Sequence, residues 1–369
     1  MAEDGPIDMD ELTAHLDRGW DLLGRGDLLA ARGSADHVLD LDADSPEGHT
    51  LLGAVLAAEG EAEEALELFR HALDVDPEYV DAMIYAADVA LHPLRQYALS
   101  LQYLDEADAL AAEEDRLDLG LLRAEAQIGL GDLEQARRVV ERLPGPPYAD
   151  PANLLRLGRI CLDLEQYERA KEVLQQACEQ PITRIEARYF LGLVHDLSGD
   201  LEGAQRCFLE VHAAEEAQPA PAWALSAEDF AAALREALAK VPAELGERLR
   251  AAPLYIRPMP PAELVVEGLD PRTPVLFSGR PAGATAEAAP GEEVGSGRRA
   301  RRKSVSPPAP QLMAIFVYQR NIERFAGRAE GEGEEIFRAL IEESGAFFAF
   351  SAEETERLLD DAADSVPAV

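Results

Sequence analysis

The chain has 369 residues, 47% of them hydrophobic, and a formal net charge of −37. That length accommodates two or more domains, and the apolar share is ample for their cores. So strong a negative field repels phosphate backbones, which argues against nucleic acid as a partner of the body of the protein.

Residues 1–10 read as a flexible N-terminus, and the opening MAEDGPIDMDEL lacks the basic and apolar regions of a signal peptide. No apolar run approaches the roughly 18 residues of a membrane-spanning helix, so no membrane is expected as a partner. From 11 to 216 the chain repeats itself. In PEGHTLLGAVLAAEGEAEEALELFRHALDVDP (46–77), Leu52, Gly53 and Leu56 fall on a first helix and Gly60 on a turn. Ala65, Phe69 and Ala72 fall on a second helix, which Pro77 stops. Taking Ala65 as a close-contact position, its equivalents are Ala31, Ser100, Ala136, Ala170 and Ala204, at successive spacings of 34, 35, 36, 34 and 34. Each except Ser100 follows a polar loop, GDLLAA, GEAEEA, GDLEQA, EQYERA or GDLEGA. Gly53, Gly158 and Gly192 recur on first helices, and Phe69, Leu104, Val140, Leu174 and Phe208 on second helices. All of these are read as packing positions.

The pattern resembles the tetratricopeptide repeat, whose small and aromatic residues hold fixed places in 34 residues. The resemblance implies six stacked helix pairs in a right-handed solenoid with a concave groove that takes a protein or peptide ligand. The third unit is irregular, with Pro93 at the inter-helix turn, and LPGPPYADP lengthens the end of the fourth. Members that grip a C-terminal carboxylate carry Lys, Asn and Arg at set first-helix positions, and this set is missing. Arg156, Arg159, Arg188 and Tyr189 fall on the first helices of the fifth and sixth units and are the candidates to face a partner, pairing with the chain's own acids being the competing account. Cys161, Cys178 and Cys207 contain no CxxC pair, so neither a disulfide framework nor a zinc site is suggested, and a reduced, cytoplasmic setting is expected.

Residues 217–228 break the period and read as a linker to a domain at 229–361, with 362–369 a flexible C-terminus. Phe230, Leu234 and Leu238 mark a helix in AEDFAAALREALAKVP; PAELGERLRAA follows. LYIRPMP, PVLFSGRP and MAIFVYQR read as short strands, and EEIFRALIEESGAFF as a helix. Residues 282–310, rich in Ala, Gly, Pro and Ser, cannot bury enough to fold and read as an inserted disordered loop. Its basic run, Arg298, Arg299, Arg301, Arg302 and Lys303, would dock on the chain's own acidic surface at least cost, ahead of an acidic partner or RNA.

The order of these elements resembles the small zincin-like metallopeptidase domain of bacteria. The likeness rests on FAAALREALAKVPAELGERL, PAELVVEGLDPRTPVLFSGRP, IFVYQRNIERFAG and EEIFRALIEESGAFFAFSAEETERL. In that family the last stretch carries H-E-x-x-H, two histidines on one helix face that hold zinc and a glutamate that activates water. Here the motif falls on Glu342-Glu343-Ser344-Gly345-Ala346. Glu343 matches the general base, but Glu342 and Ala346 replace the ligands, and the third ligand would fall near Ala352. The last of the seven histidines is His212, so the domain as bounded has none to recruit. No metal and no cofactor is expected, and the resemblance implies a pseudoenzyme.

The expected fold is therefore mainly α: a tetratricopeptide-repeat solenoid followed by a small α+β zincin-like domain with an inserted loop. The expected function is a non-catalytic protein-binding scaffold. Two alternatives stay open, a metallopeptidase with carboxylate ligands and a module that senses a cation or small ligand in the relict cleft.

Overall fold

The computed structural model describes residues 9–283 and 309–363. The expectations for residues 1–8 and 364–369 and for the basic run Arg298 to Lys303 lie outside the described residues. The described chain divides into two compact units at Gly199/Asp200.

The first unit is built of helix pairs: α1 (Met9–Gly24) with α2 (Leu28–Leu41), α3 (Pro46–Glu59) with α4 (Ala62–Val75), and α5 (Val80–Leu91) with α6 (Tyr97–Asp108). Next come α7 (Arg116–Gly129) with α8 (Leu133–Arg142), α9 (Ala152–Asp163) with α10 (Tyr167–Cys178), and then α11 (Arg184–Leu197). Every turn inside a pair passes through a left-handed residue: Gly26, Gly60, Arg95, Gly131, Glu165 and Gly199. Each sits five positions before the corresponding contact residue Ala31, Ala65, Ser100, Ala136, Ala170 or Ala204, so the turn and the contact keep one register. The Asp that follows Gly caps the next helix. Asp27 accepts from the Ala30 N–H at 3.2 Å, Asp132 from Gln135 at 3.1 Å and Asp200 from Gly203 at 3.0 Å.

The six contact residues are all buried. Gly53 and Gly158 let the two helices of a pair approach: a Cβ on Gly53 would lie 2.6 Å from the Phe69 ring, and one on Gly158 would lie 2.5 Å from Leu174. The first helices also pack on one another in succession, α1 on α3, α3 on α5, α5 on α7, α7 on α9 and α9 on α11. Helices in contact from repeat to repeat form the inner row of a stacked array, so first-helix side chains line its groove.

The second unit begins earlier than residue 217, the start of the expected linker. It comprises α12 (Leu201–Glu216), α13 (Ala227–Lys240), α14 (Ala243–Ala251), β1 (Leu254–Arg257), α15 (Ala262–Val266), β2 (Val275–Arg280) and β3 (Gln311–Tyr318). It closes with α16 (Gln319–Ala326), α17 (Glu332–Phe348) and α18 (Ala352–Ala363). By register α12 is the second helix of the sixth repeat, yet buried polar bonds fix it to the later elements. Glu215 accepts from Arg272 Nε at 3.0 Å and from Arg324 Nη2 at 2.7 Å, and His212 Nε2 lies 2.7 Å from the Pro260 carbonyl. The segment 217–226 thus joins two helices of one unit. This unit also contains one histidine, His212, where a boundary at 216 leaves none.

The three strand expectations are met by β1, β2 and β3, in the order β1-β3-β2, with β1 parallel and β2 antiparallel to β3. One sheet face buries Val275, Phe277, Ile315 and Val317 against Phe230, Leu234 and Leu238 of α13 and Ile336, Leu340 and Ile341 of α17.

Candidate partner-binding groove and the C-terminal helix

The groove of the first unit changes character along its length. At the N-terminal end Trp20 of α1 stacks on Tyr85 of α5, ring centroids 5.3 Å apart, and Tyr85 stacks in turn on Phe69 at 5.9 Å. Burial first, then the charges of Asp81 and Asp88, push the Tyr85 phenol up to about 12, so it stays a neutral donor.

A charged strip follows, shared by three first helices. His92, which follows the last residue of α5, lies 3.5 Å from Asp88 and 3.6 Å from Glu125 of α7. Arg156 of α9 donates from Nε to Glu125 at 2.9 Å and from Nη2 to the same oxygen. Beside it Asn153 donates to Asp118 at 3.0 Å. Burial raises the Asp88 carboxyl, and His92 and Arg156 hold the rise in check. Arg156 is therefore occupied by the chain's own acids.

At the far end Arg159 of α9 is exposed, its guanidinium 5.0 Å from the centroid of the Phe190 ring on α11. Tyr189 meets Phe190 edge-on at 5.4 Å. Arg188 and Tyr189 are half-buried and already engaged with neighbours. The four residues singled out from sequence thus share the inner row, Arg156 within the strip and Arg159 with Tyr189 around Phe190. Trp20, Tyr85, Asp88 and Glu125 were missed. The strip runs at spacings of 37 (Asp88 to Glu125) and 31 (Glu125 to Arg156), off the repeat period, because its residues stand at different places in their repeats, 12, 11 and 14 positions before Ser100, Ala136 and Ala170. No signal along the chain marks it.

On α17, Glu342 and Ala346 occupy an exposed face, and Glu342 pairs with Arg338 at 3.1 Å. A cation placed between them would meet one carboxylate and a methyl group, where a zinc centre takes three protein ligands. Glu343 points the other way, onto the sheet, and accepts from the Phe277 N–H at 3.1 Å. Phe277 lies on β2, an edge of the sheet, so the carboxylate caps an otherwise open strand. Burial raises the Glu343 carboxyl and the Phe277 hydrogen bond opposes the rise. Phe347 packs edge-on to Phe277 at 5.7 Å and completes the fastening of α17 to β2. Among the described residues, no group of metal-ligating side chains with suitable geometry lies on α17.

Elsewhere in this unit a cavity of about 350 Å³ is lined by Glu215, Trp223, Met259, Arg320, Glu323 and Arg324, among others, and by none of the three motif residues. Glu215 and Glu323 are buried, and each leaves one carboxylate oxygen without a partner.

The profile of the tetratricopeptide repeat matches residues 46–79 and 152–180. Among solved structures the chain is similar to PilW, a widely conserved type IV pilus biogenesis factor. That match has a TM-score of 0.50 at 15% identity and covers 56% of this chain and 94% of that one. It is also similar to PilF of Pseudomonas aeruginosa, with a TM-score of 0.47 at 17% identity, covering 57% of this chain and 94% of that one. A thermophilic repeat protein of Thermus thermophilus aligns with a TM-score of 0.43 at 18% identity, over 50% of this chain and 98% of its own. No curated protein matches the sequence. The chain carries tetratricopeptide repeats, and the PilW likeness shows the repeat fold. Among the described residues, no helix is long and apolar enough to cross a membrane.

Proposed function

We propose that this protein is a non-catalytic scaffold whose first unit binds a segment of a partner protein along its row of first helices. The observation that carries this reading is the exposed Arg159 held over Phe190, beside Tyr189, on two adjacent first helices. A guanidinium fixed on an aromatic ring offers both a charge and an apolar platform, the combination common at protein-binding hot spots. An extended or helical segment presenting an acidic or aromatic side chain would seat there. Capture from lysate of the source organism with the full chain and with Arg159→Glu tests it. A partner retained by the parent chain should lose affinity at least about tenfold, 1.4 kcal/mol, in the variant. Equal retention by both removes the groove from the account.

The second unit, in this reading, is a degenerate zincin-like domain that has kept its helix and lost its metal. Support comes from Glu343, bound to the Phe277 N–H, and from the exposed Glu342/Ala346 face. A working peptidase with carboxylate ligands requires stoichiometric zinc on α17. We expect Glu343→Gln to change no peptidase activity and to cost about 1–2 kcal/mol of stability, as a side-chain amide is a weaker acceptor than a carboxylate. Peptide-bond cleavage that disappears with this substitution would restore the enzymatic alternative. These two units, a groove and a retired catalytic scaffold, both fit a cytoplasmic protein that works by recognition.

A further inference from the structure

Four histidines of the first two repeats stand in two pairs related by the repeat itself. His15 and His49 are 34 residues apart, as are His37 and His71. Because the helix pairs superpose by this period, each first-helix histidine meets its second-helix counterpart. The ring centroids are 4.0 Å apart for His15 and His37 and 4.2 Å apart for His49 and His71. The pairs differ in what joins them. One turn before His15 on the same face of α1 stands Glu11, and its repeat equivalent before His49 is Ser45, which caps α3 by accepting from the Gly48 N–H at 3.1 Å. His49 is buried, with Nε2 on the Ala43 carbonyl at 2.9 Å, so it is withheld from any ligand on that side. His15 and His37 are half-buried and reachable from solvent, and Glu11 is exposed.

The geometry points to a site for one divalent transition ion of the zinc class, held by Glu11, His15 and His37. One ligand atom from each lies within 4.8 Å of the other two. Glu11 Oε1 and His37 Nε2 are 3.6 Å apart. Ligand bonds of about 2.0–2.2 Å in a tetrahedron place ligand atoms about 3.3–3.6 Å apart, so small side-chain adjustments complete the first three corners. Two imidazoles and one carboxylate select zinc, cobalt or nickel over magnesium and calcium, which take oxygen ligands. The fourth corner is left to water. Glu11 and His15 belong to α1 and His37 to α2, so the ion would pin the two helices of the first repeat together. This site is independent of the groove and of α17.

Isothermal titration of the full chain with zinc chloride in excess magnesium tests the assignment, since magnesium saturates the acidic surface. We expect one equivalent of zinc to bind, and a cobalt-loaded sample to show the visible absorption of a four-coordinate ion. His15→Ala, His37→Ala and Glu11→Gln should each weaken zinc by more than the about 10–100-fold that losing an outer-shell partner costs. His71→Ala should leave the affinity unchanged. Glu11→Gln keeps the shape of an exposed side chain, and unchanged circular dichroism confirms that the fold is intact. Absence of a magnesium-resistant equivalent overturns the proposal. So does a His15→Ala/His37→Ala double variant that binds like the parent, or loss of binding in His71→Ala alone.

Discussion

Two glutamates of α17 show how a residue's role is set by what surrounds it. Glu343, which the sequence reading set at a relict catalytic position, has its carboxylate on the open edge of β2, where it accepts from the Phe277 N–H. Glu332, at the helix start, is completely buried, and neither of its oxygens has a hydrogen-bond partner. Burial, then the neighbouring Glu323, raises its pKa from 4.5 to about 7, while the Leu225 amide tempers the rise without completing a bond. A carboxyl raised by folding binds its proton more tightly in the folded state. Its contribution is therefore intact below about 4.5 and declines as pH rises through about 7. The second unit should lose stability over that interval, as read by thermal melts at a series of pH values. Glu332→Gln should remove that share of the slope and stabilise the protein by about 1–3 kcal/mol at pH 8. A variant with the parent's pH profile would show that Glu332 does not carry it.

At the scale of the element, the helix–turn–helix unit was almost wholly legible. Small residues at a fixed period identified the contact between helices, and the buried Ala31, Ala65, Ala136 and Ala170 are where that period places them. The turn was legible where Gly occupies it and obscure where it does not: Arg95 and Glu165 take the same left-handed conformation without being glycine. An L side chain in that region costs about 1–2 kcal/mol, and glycine returns part of this through its greater freedom when unfolded. Glu165 is exposed, so Glu165→Gly should raise stability by about 0.5–1 kcal/mol, measured by urea unfolding. A loss of stability would mean that its side chain does more than occupy the turn. The strands and α17 of the second unit were legible from their composition, but not the strand order, because pairing β1 beside β3 joins segments far apart in sequence. Nor was α12 assignable from register alone. Its Ala204 and Phe208 follow the repeat, whereas His212 and Glu215 bind the second unit.

For the molecule as a whole the largest electrostatic influence is the charge of −37. Self-repulsion of this size opposes the compact state and is screened over about 8 Å at 0.15 M salt but only over about 30 Å at 0.01 M. The melting temperature should therefore rise as sodium chloride is increased from about 10 to about 150 mM; a fall would mean that surface ion pairs such as Arg123–Asp108 outweigh the net repulsion. By itself the sequence determined the repeat, its helices and their contacts, because a local period is written into neighbouring residues and every repeat restates it. Only the tertiary structure decided which side chains meet: Glu125 with Arg156, Glu343 with Phe277, and His15 with His37 and Glu11. Such meetings depend on how helices cross and where connections lengthen, and no one-dimensional spacing records those quantities.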